Sequence, residues 1–268
     1  ANNVAVGYHA LAYNTTANNN TAVGSHSLWK NTTGTANTAV GLNSLNANTT
    51  ASNNTAMGYY ALDSNTTASG NTAIGENALA TNTTGGSNTA LGYRASYSNT
   101  TSVENTAVGY YAMYSATTGT GQNTAMGKYA LNACTTGVSN TGFGAHTLNS
   151  CTTGTYNMAF GAHSLRDVTT GEHNQGHGYQ AGANITTGNQ NICIGANAGV
   201  TTNTLTTGSR NVIVGSNIHT SAAATDDAVG LGYNLNCVGN YVTVGSGADD
   251  IRAVVGNASW ATVSDERY

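Results

Sequence analysis

Residues 54–70 read Asn54-Thr-Ala-Met-Gly58-Tyr-Tyr-Ala-Leu62-Asp-Ser-Asn65-Thr-Thr-Ala-Ser-Gly70, and Asn71 begins the same phrase again. The glycine of the phrase recurs at Gly7, Gly24, Gly41, Gly58, Gly75, Gly92 and Gly109, always 17 residues apart. One step of 18 leads to Gly127, steps of 17 to Gly144, Gly161, Gly178 and Gly195, and a step of 20 to Gly215. Asn stands four residues before each glycine, as at Asn20, Asn54 and Asn191, and a Thr pair follows most of them by eight and nine. A fixed period of this kind marks a repeat architecture, in which each unit buries its apolar face only against its neighbours. Seventeen residues dominated by Asn, Thr and Gly are too few, and too poor in helix formers, for a helix pair. Short strands remain. Thr21-Ala22-Val23 is one, Ser25 to Leu28 is a second after the glycine bend, and Asn31-Thr32-Thr33-Gly34 is the turn back. The expected fold is all-β: a parallel β-solenoid, or β-roll, of about twelve 17-residue coils over residues 1–199, then an irregular β-rich region over 200–268.

In a stack of coils, equivalent positions form columns at roughly 4.8 Å spacing. The residue before the glycine (Val6, Val23, Val40, Met57, Ile74, Leu91, Val108, Met126, Phe143, Phe160, His177, Ile194) reads as one buried apolar column. Four after the glycine, Leu11, Leu28, Leu45, Leu62 and their successors read as a second. Ala at two before the glycine then points the other way, because strand side chains alternate. A face that accepts only Ala or Gly is expected to press against another backbone. A thin roll also buries little apolar surface against its ordering entropy, so a homo-oligomer with rotational symmetry follows, and a homotrimer is the expected form. Seven after the glycine, Asn14 to Asn99 give way to Ala116, Cys134, Cys151, Val168 and Ile185, so that column faces inward with its amides stacked coil to coil. Cys134 and Cys151 are stacked neighbours in this register, as two core thiols or a disulfide. The Asn-Thr-Thr triplets match the N-glycosylation acceptor pattern, and a turn signal explains them equally well.

The chain has 268 residues, 34 Gly, no Pro and 7% charged residues, with a formal net charge of −4. An absence of proline fits a chain whose backbone N–H groups are needed as ladder donors. There is no basic surface for nucleic acid and no apolar run long enough to insert in a membrane, so neither partner is expected. The repeat is already under way at Asn3 without an initiating Met, which suggests a piece of something longer.

Asn-Thr-Ala-Val-Gly-Tyr-x-Ala-Leu, nearly complete at Asn54 to Leu62 and Asn105 to Met113, resembles the repeats of trimeric autotransporter adhesin heads and of related bacteriophage tail fibres. The resemblance covers residues 3–199. In those heads a shorter repeat makes a left-handed parallel β-roll, three of which associate side by side. Ser264-Asp265-Glu266-Arg267-Tyr268 looks like the junction where a tail-fibre intramolecular chaperone begins, cut between Ser264 and Asp265, and departs from it at Tyr268. The resemblance implies a virion-borne, extracellular segment joined to other tail-fibre segments and binding a host cell-surface glycan. A bacterial cell-surface adhesin head is the alternative, distinguished by a membrane anchor downstream in place of a chaperone. An ice-binding solenoid, shown by thermal hysteresis, and a glycan-cleaving tailspike, shown by release of reducing sugar, are two more.

Candidate residues follow from the columns. Two after the glycine run His9, His26, Asn43, Tyr60, Asn77, Arg94, Tyr111, Tyr129, His146 and His163, flanked by Tyr8, Tyr59, Tyr93, Tyr110 and Tyr179. Polar-tipped rings in exposed rows suit sugars, so Tyr60, Arg94, Tyr111, Tyr129, His146 and His163 form the expected receptor surface. The same rows can also serve only to brace neighbouring coils. The irregular region from Val200 onward is a competing place for receptor contacts. Eleven carboxylates, five of them in unrelated columns of the repeats (Asp63, Glu76, Glu104, Asp167, Glu172), offer no catalytic pair, and no enzyme, cofactor or resident metal is expected. Asp226-Asp227 and Asp249-Asp250 suit solvated turns or a bound cation. His177 in the apolar column is expected to be hydrogen-bonded; on a threefold axis it would instead place three imidazoles around a metal or anion.

Overall fold

The computed structural model describes residues 2–118, 121–200, 204–247, 249–255 and 260–262. Among these there is no helix, and therefore none long and apolar enough to cross a membrane. The chain divides into two compact units, 1–139 and 140–268. Unit 1 carries β1 (Val4–Val6), β2 (Thr21–Val23), β3 (Thr38–Val40), β4 (Thr55–Met57), β5 (Thr72–Ile74), β6 (Thr89–Leu91), β7 (Thr106–Val108) and β8 (Thr124–Met126). From β1 to β8 each pairs in parallel with the next in repeat register, Ala on Ala throughout and Thr on Thr from β2 onward, as in Thr55↔Thr72 and Ala56↔Ala73. This is the parallel β-solenoid that the 17-residue period requires.

Unit 2 begins the same way with β9 (Thr141–Phe143), β10 (Met158–Phe160), β11 (Gln175–His177) and β12 (Ile192–Ile194). The parallel ladder runs on past residue 199 through β13 (Val212–Ser216), β15 (Val229–Tyr233) and β17 (Tyr241–Ser246), with the short pair β14 (His219–Thr220) and β16 (Asn236–Cys237) beside it. Only then does direction change: β18 (Asp249–Val254) adds antiparallel to β17, and β19 (Trp260–Thr262) antiparallel to β18.

The orientation of the strand is the reverse of the sequence expectation. Ala22, Ala39, Ala56, Ala73, Ala90, Ala107 and Ala125 are all completely buried, while Val6 is 58%, Met57 42% and Leu91 43% exposed. The pre-glycine column therefore faces outward, and the Ala column is core. The reason is thickness. In unit 2, Gly176 occupies the Ala position, and a Cβ there would lie 2.9 Å from both Leu165 Cγ and the Ala181 carbonyl. The inner face of the strand thus meets the return turn with room for little more than a methyl group. Where the Leu position becomes Gly182 and Gly199, the Ala position takes up the volume as Cys193 and Ile213; a Cβ on Gly199 would stand 3.4 Å from Cys193 Sγ. Core volume is conserved across the roll.

The segment after the glycine is also not a second strand. His26 and Leu28 have φ of 55° and 48°, and equivalent residues repeat this in every coil of unit 1. Left-handed geometry at a non-glycine residue costs about 1–2 kcal/mol, offset here by bonds between coils: His26 N donates to Tyr8 O at 2.8 Å and Leu28 N to Ser44 O at 3.0 Å. The alternating turn still points Leu28, Leu45, Leu62 and Leu79 inward with no exposure. The glycine itself is forced, because at Gly41 (φ 133°) a Cβ would fall 2.5 Å from the Gly58 carbonyl oxygen.

Two amide ladders brace the coils of unit 1. Seven after the glycine, Asn48 Nδ2 donates to Asn31 Oδ1 at 2.8 Å, Asn65 Nδ2 to Asn48 Oδ1 at 3.2 Å and Asn82 Nδ2 to Asn65 Oδ1 at 3.1 Å. These asparagines are fully buried, which closes their Asn-Thr-Thr triplets to glycan attachment in the folded chain. Four before the glycine, a second column bonds backbone: Asn37 N donates to Asn20 Oδ1 at 2.9 Å, and Asn37 Nδ2 to Ala51 O at 2.8 Å. In the Cys positions, Sγ of Cys134 donates to Gly137 O and Sγ of Cys151 to Gly154 O, so each sulfur takes over the amide's local bond.

Candidate functional site

The residues one and two after each glycine lie where the chain leaves the strand. The first is exposed in most coils, as at Tyr59, Tyr110 (45% exposed) and Lys128, and half-buried at Tyr93; the second is half-buried in every coil after the first, as at Tyr111. In unit 1 this produces a continuous ridge over three coils. Tyr93 stacks on Tyr110 with centroids 5.4 Å apart and planes 15° apart, and Tyr111 stacks on Tyr129 at 5.6 Å. Behind them Tyr97 stacks on Tyr114 at 5.4 Å, and Tyr114 contacts Tyr111 at 4.9 Å.

Two cations are set among these rings. The Arg94 guanidinium lies 5.3 Å from the Tyr93 ring, 5.5 Å from Tyr97 and 5.8 Å from Tyr111, and its Nη1 donates to Tyr111 Oη at 3.1 Å. Lys128 Nζ lies 5.8 Å from Tyr110 and 5.4 Å from Tyr129. Loss of hydration among the neighbouring rings pushes the Tyr93 and Tyr110 phenols upward, Arg94 working against this at Tyr93. Both therefore stay protonated at neutral pH and can donate hydrogen bonds. Flat apolar faces edged by phenol and cationic donors suit a sugar.

Of the residues singled out from sequence, Arg94, Tyr111 and Tyr129 are brought together in this ridge. Tyr60 is not. It packs edge-on to Tyr59 at 4.4 Å, separated from the ridge by the coil that carries Glu76 and Asn77 in these positions. His146 and His163 stack on each other at 5.1 Å in unit 2, and Tyr179 approaches His163 edge-on at 6.1 Å. Tyr97, Tyr114 and Lys128 were missed. Tyr97 and Tyr114 repeat 17 apart five residues after their glycines, and Lys128 shares the column of Tyr93 and Tyr110, so spacing alone held that signal.

His177 is not enclosed by an apolar core. It lies on the outward strand face, half-buried, stacked on Phe160 at 5.1 Å. Among the described residues no three His, Cys, Asp or Glu side chains converge as metal ligands. Asp226 accepts from Ser209 N at 2.6 Å, and Asp227 forms a two-point pair with Arg210. Asp249-Asp250 opens β18 instead of forming a turn, with Asp250 buried and paired to Arg252 at 3.0 Å. A smaller aromatic recess of about 280 Å³, lined by Tyr13, Trp29, Lys30 and Thr32, lies on the first coils. Ser264 and Asp265 fall outside the described residues.

Compared with protein-family models, curated proteins and solved structures, the chain matches none.

Proposed function

We propose that this chain is a structural and adhesive segment of a bacteriophage tail fibre, assembled as a side-by-side homotrimer, carried on the virion and presenting a glycan-binding surface to a host cell. The observation that carries the adhesive part is the ridge of stacked, part-exposed phenols at Tyr93, Tyr110, Tyr111 and Tyr129. The assembly part is supported by the outward column of Val6, Met57, Leu91 and Met126, a long apolar stripe that a single chain leaves in water. This replaces the Ala column as the subunit contact, since that column is occupied by the chain's own core. The repeat phrase fits a tail fibre and an adhesin head alike, and the Ser264-Asp265 junction phrase is what supports the tail fibre over the adhesin head.

An ice-binding reading has one observation in its favour: Thr38, Thr55 and Thr72 stand beside Val40, Met57 and Ile74 on one strand face. The mixture of Val, Met, Ile, Leu and Phe in the second row makes an uneven surface for a lattice, and the paired threonines do no better. Thr32 Oγ1 donates to Thr49 O at 2.9 Å, and from the second coil on it is the second threonine of each pair, as at Thr33, Thr50 and Thr67, that stands exposed, in single file.

The adhesive reading is tested by binding of the purified chain to immobilised bacterial surface polysaccharides. Binding is expected, with loss in Tyr110→Ala and Tyr111→Ala and retention in Tyr60→Ala. A folded protein that binds none of them would remove the reading.

A further inference from the structure

The chain carries seven Lys and Arg residues, and six lie among the described residues. Three are neutralised by carboxylates: Arg166 by Asp167, Arg210 by Asp227 and Arg252 by Asp250. The other three, Lys30, Arg94 and Lys128, form no ion pair among the described residues, and each instead lies over aromatic faces. In a protein with so few charges, two of these three cations fall in one ridge of three consecutive coils. Arg94 is also held in position without being used up. Three phenol rings and the Tyr111 hydroxyl fix its guanidinium, while its Nε is buried and has no hydrogen-bond partner. A guanidinium fixed in this way and paired with no carboxylate keeps its charge for an incoming carboxylate or sulfate. Glu76, one coil earlier in the column of Tyr93, bounds the cationic stretch on one side, and Glu104 is engaged by Gln122 at 3.0 Å.

We propose that the ridge binds an acidic oligosaccharide, with Arg94 and Lys128 receiving carboxylate or sulfate groups and Tyr93, Tyr110, Tyr111 and Tyr129 receiving the sugar faces. Arg94 and Lys128 belong to coils two steps apart, about 10 Å at ordinary strand spacing, so charges on alternate sugars of a chain laid along the coil stack meet both. The inference rests on the glycan-binding reading above and narrows it to a charge class.

The test is equilibrium binding of the intact chain to oligogalacturonate, a sialic acid oligomer and a heparin hexasaccharide, with dextran and maltoheptaose as neutral probes. The expected result is that at least one acidic probe binds better than both neutral ones. Its affinity should fall at least tenfold in Arg94→Gln or Lys128→Gln, and fall again as salt is raised. Preference for a carboxylate or a sulfate probe identifies the charged group. Neutral probes bound as tightly, with Arg94→Gln and Lys128→Gln unchanged, would overturn the acidic assignment and leave glycan binding standing. No binding of any probe would overturn both. Lys128 is exposed, so Lys128→Gln keeps the test decisive if Arg94→Gln disturbs folding.

Discussion

Asn65 offers the sharpest test of how the roll holds together. It is completely buried, its Nδ2 donates to Asn48 Oδ1 at 3.2 Å and to Ala68 O at 2.9 Å, and its Oδ1 accepts from Asn82 Nδ2 at 3.1 Å. In Asn65→Ala all three bonds disappear. Two of the abandoned partners keep another: Asn82 Nδ2 still reaches Gly85 O at 2.9 Å, and Ala68 O still accepts from Asn54 Nδ2 at 2.9 Å. Asn48 Oδ1 loses its donor from the next coil inside a dry core. Three bonds at a net 0.5–1.5 kcal/mol each, with one desolvated acceptor added, come to about 4 kcal/mol. For a chain of this size that is a fall in melting temperature on the order of 10 °C. The assay is thermal unfolding followed by circular dichroism at fixed protein concentration. Thr67→Ala is the control, being exposed in the same coil two residues away, and it should change stability by no more than about 0.5 kcal/mol. If Asn65→Ala melts with Thr67→Ala, the amide ladder is not a stabilising element.

Ala73→Leu places a larger side chain in the filled interior and should destabilise by about 1–3 kcal/mol; an unchanged melting temperature would return the Ala column to the surface. Asp63 is half-buried, and that burial pushes its carboxyl up to about 6, with Lys30 pulling the other way. A raised carboxyl favours the folded state fully below about pH 4 and loses that advantage as pH climbs through 6, by about 1 kcal/mol once solvent screening is allowed for. Asp63→Asn should therefore melt higher than the parent at pH 7.5 and level with it at pH 3.5, and the opposite ordering would contradict the burial argument. Burial pushes the Cys193 thiol up to about 12 and the Cys237 thiol up to about 11. Neither should be alkylated by iodoacetamide at pH 8 until the protein is unfolded, and labelling of either in the native state, read by peptide mass spectrometry, would show the core to be open.

What was legible in the sequence was everything that depends on the period. Gly41 over Gly58, Leu45 over Leu62 and Asn48 over Asn65 follow from counting to 17, and the stack, its register and its inward Leu and Asn columns follow with them. The face of the strand was not legible, because alternation says that Ala73 and Ile74 oppose each other without saying which is inside. Size suggested Ile74. The interior admits only a methyl because Leu79 on the return turn already fills it, and that is a property of the roll's thickness that no single coil displays. The turn was misread for a related cause: left-handed residues at Tyr60 and Leu62 send successive side chains to opposite sides as a strand would. Of the ridge, Arg94, Tyr111 and Tyr129 share a column and could be found by periodicity. Tyr97 and Tyr114 come from a different column, and only the path of the turn brings them alongside.

The outward column of Val6, Met57, Leu91 and Met126 is where the account is most exposed to refutation, because an apolar stripe of that length in water needs a partner. The measurement is the mass of the chain in solution by light scattering, set against the 27.1 kDa of one copy, for the parent and for Leu91→Lys. A parent mass of three copies that falls toward one copy in Leu91→Lys is the predicted result. A parent that is a stable monomer at every concentration would contradict it, leaving a free-standing solenoid whose strand face and aromatic ridge serve some other purpose.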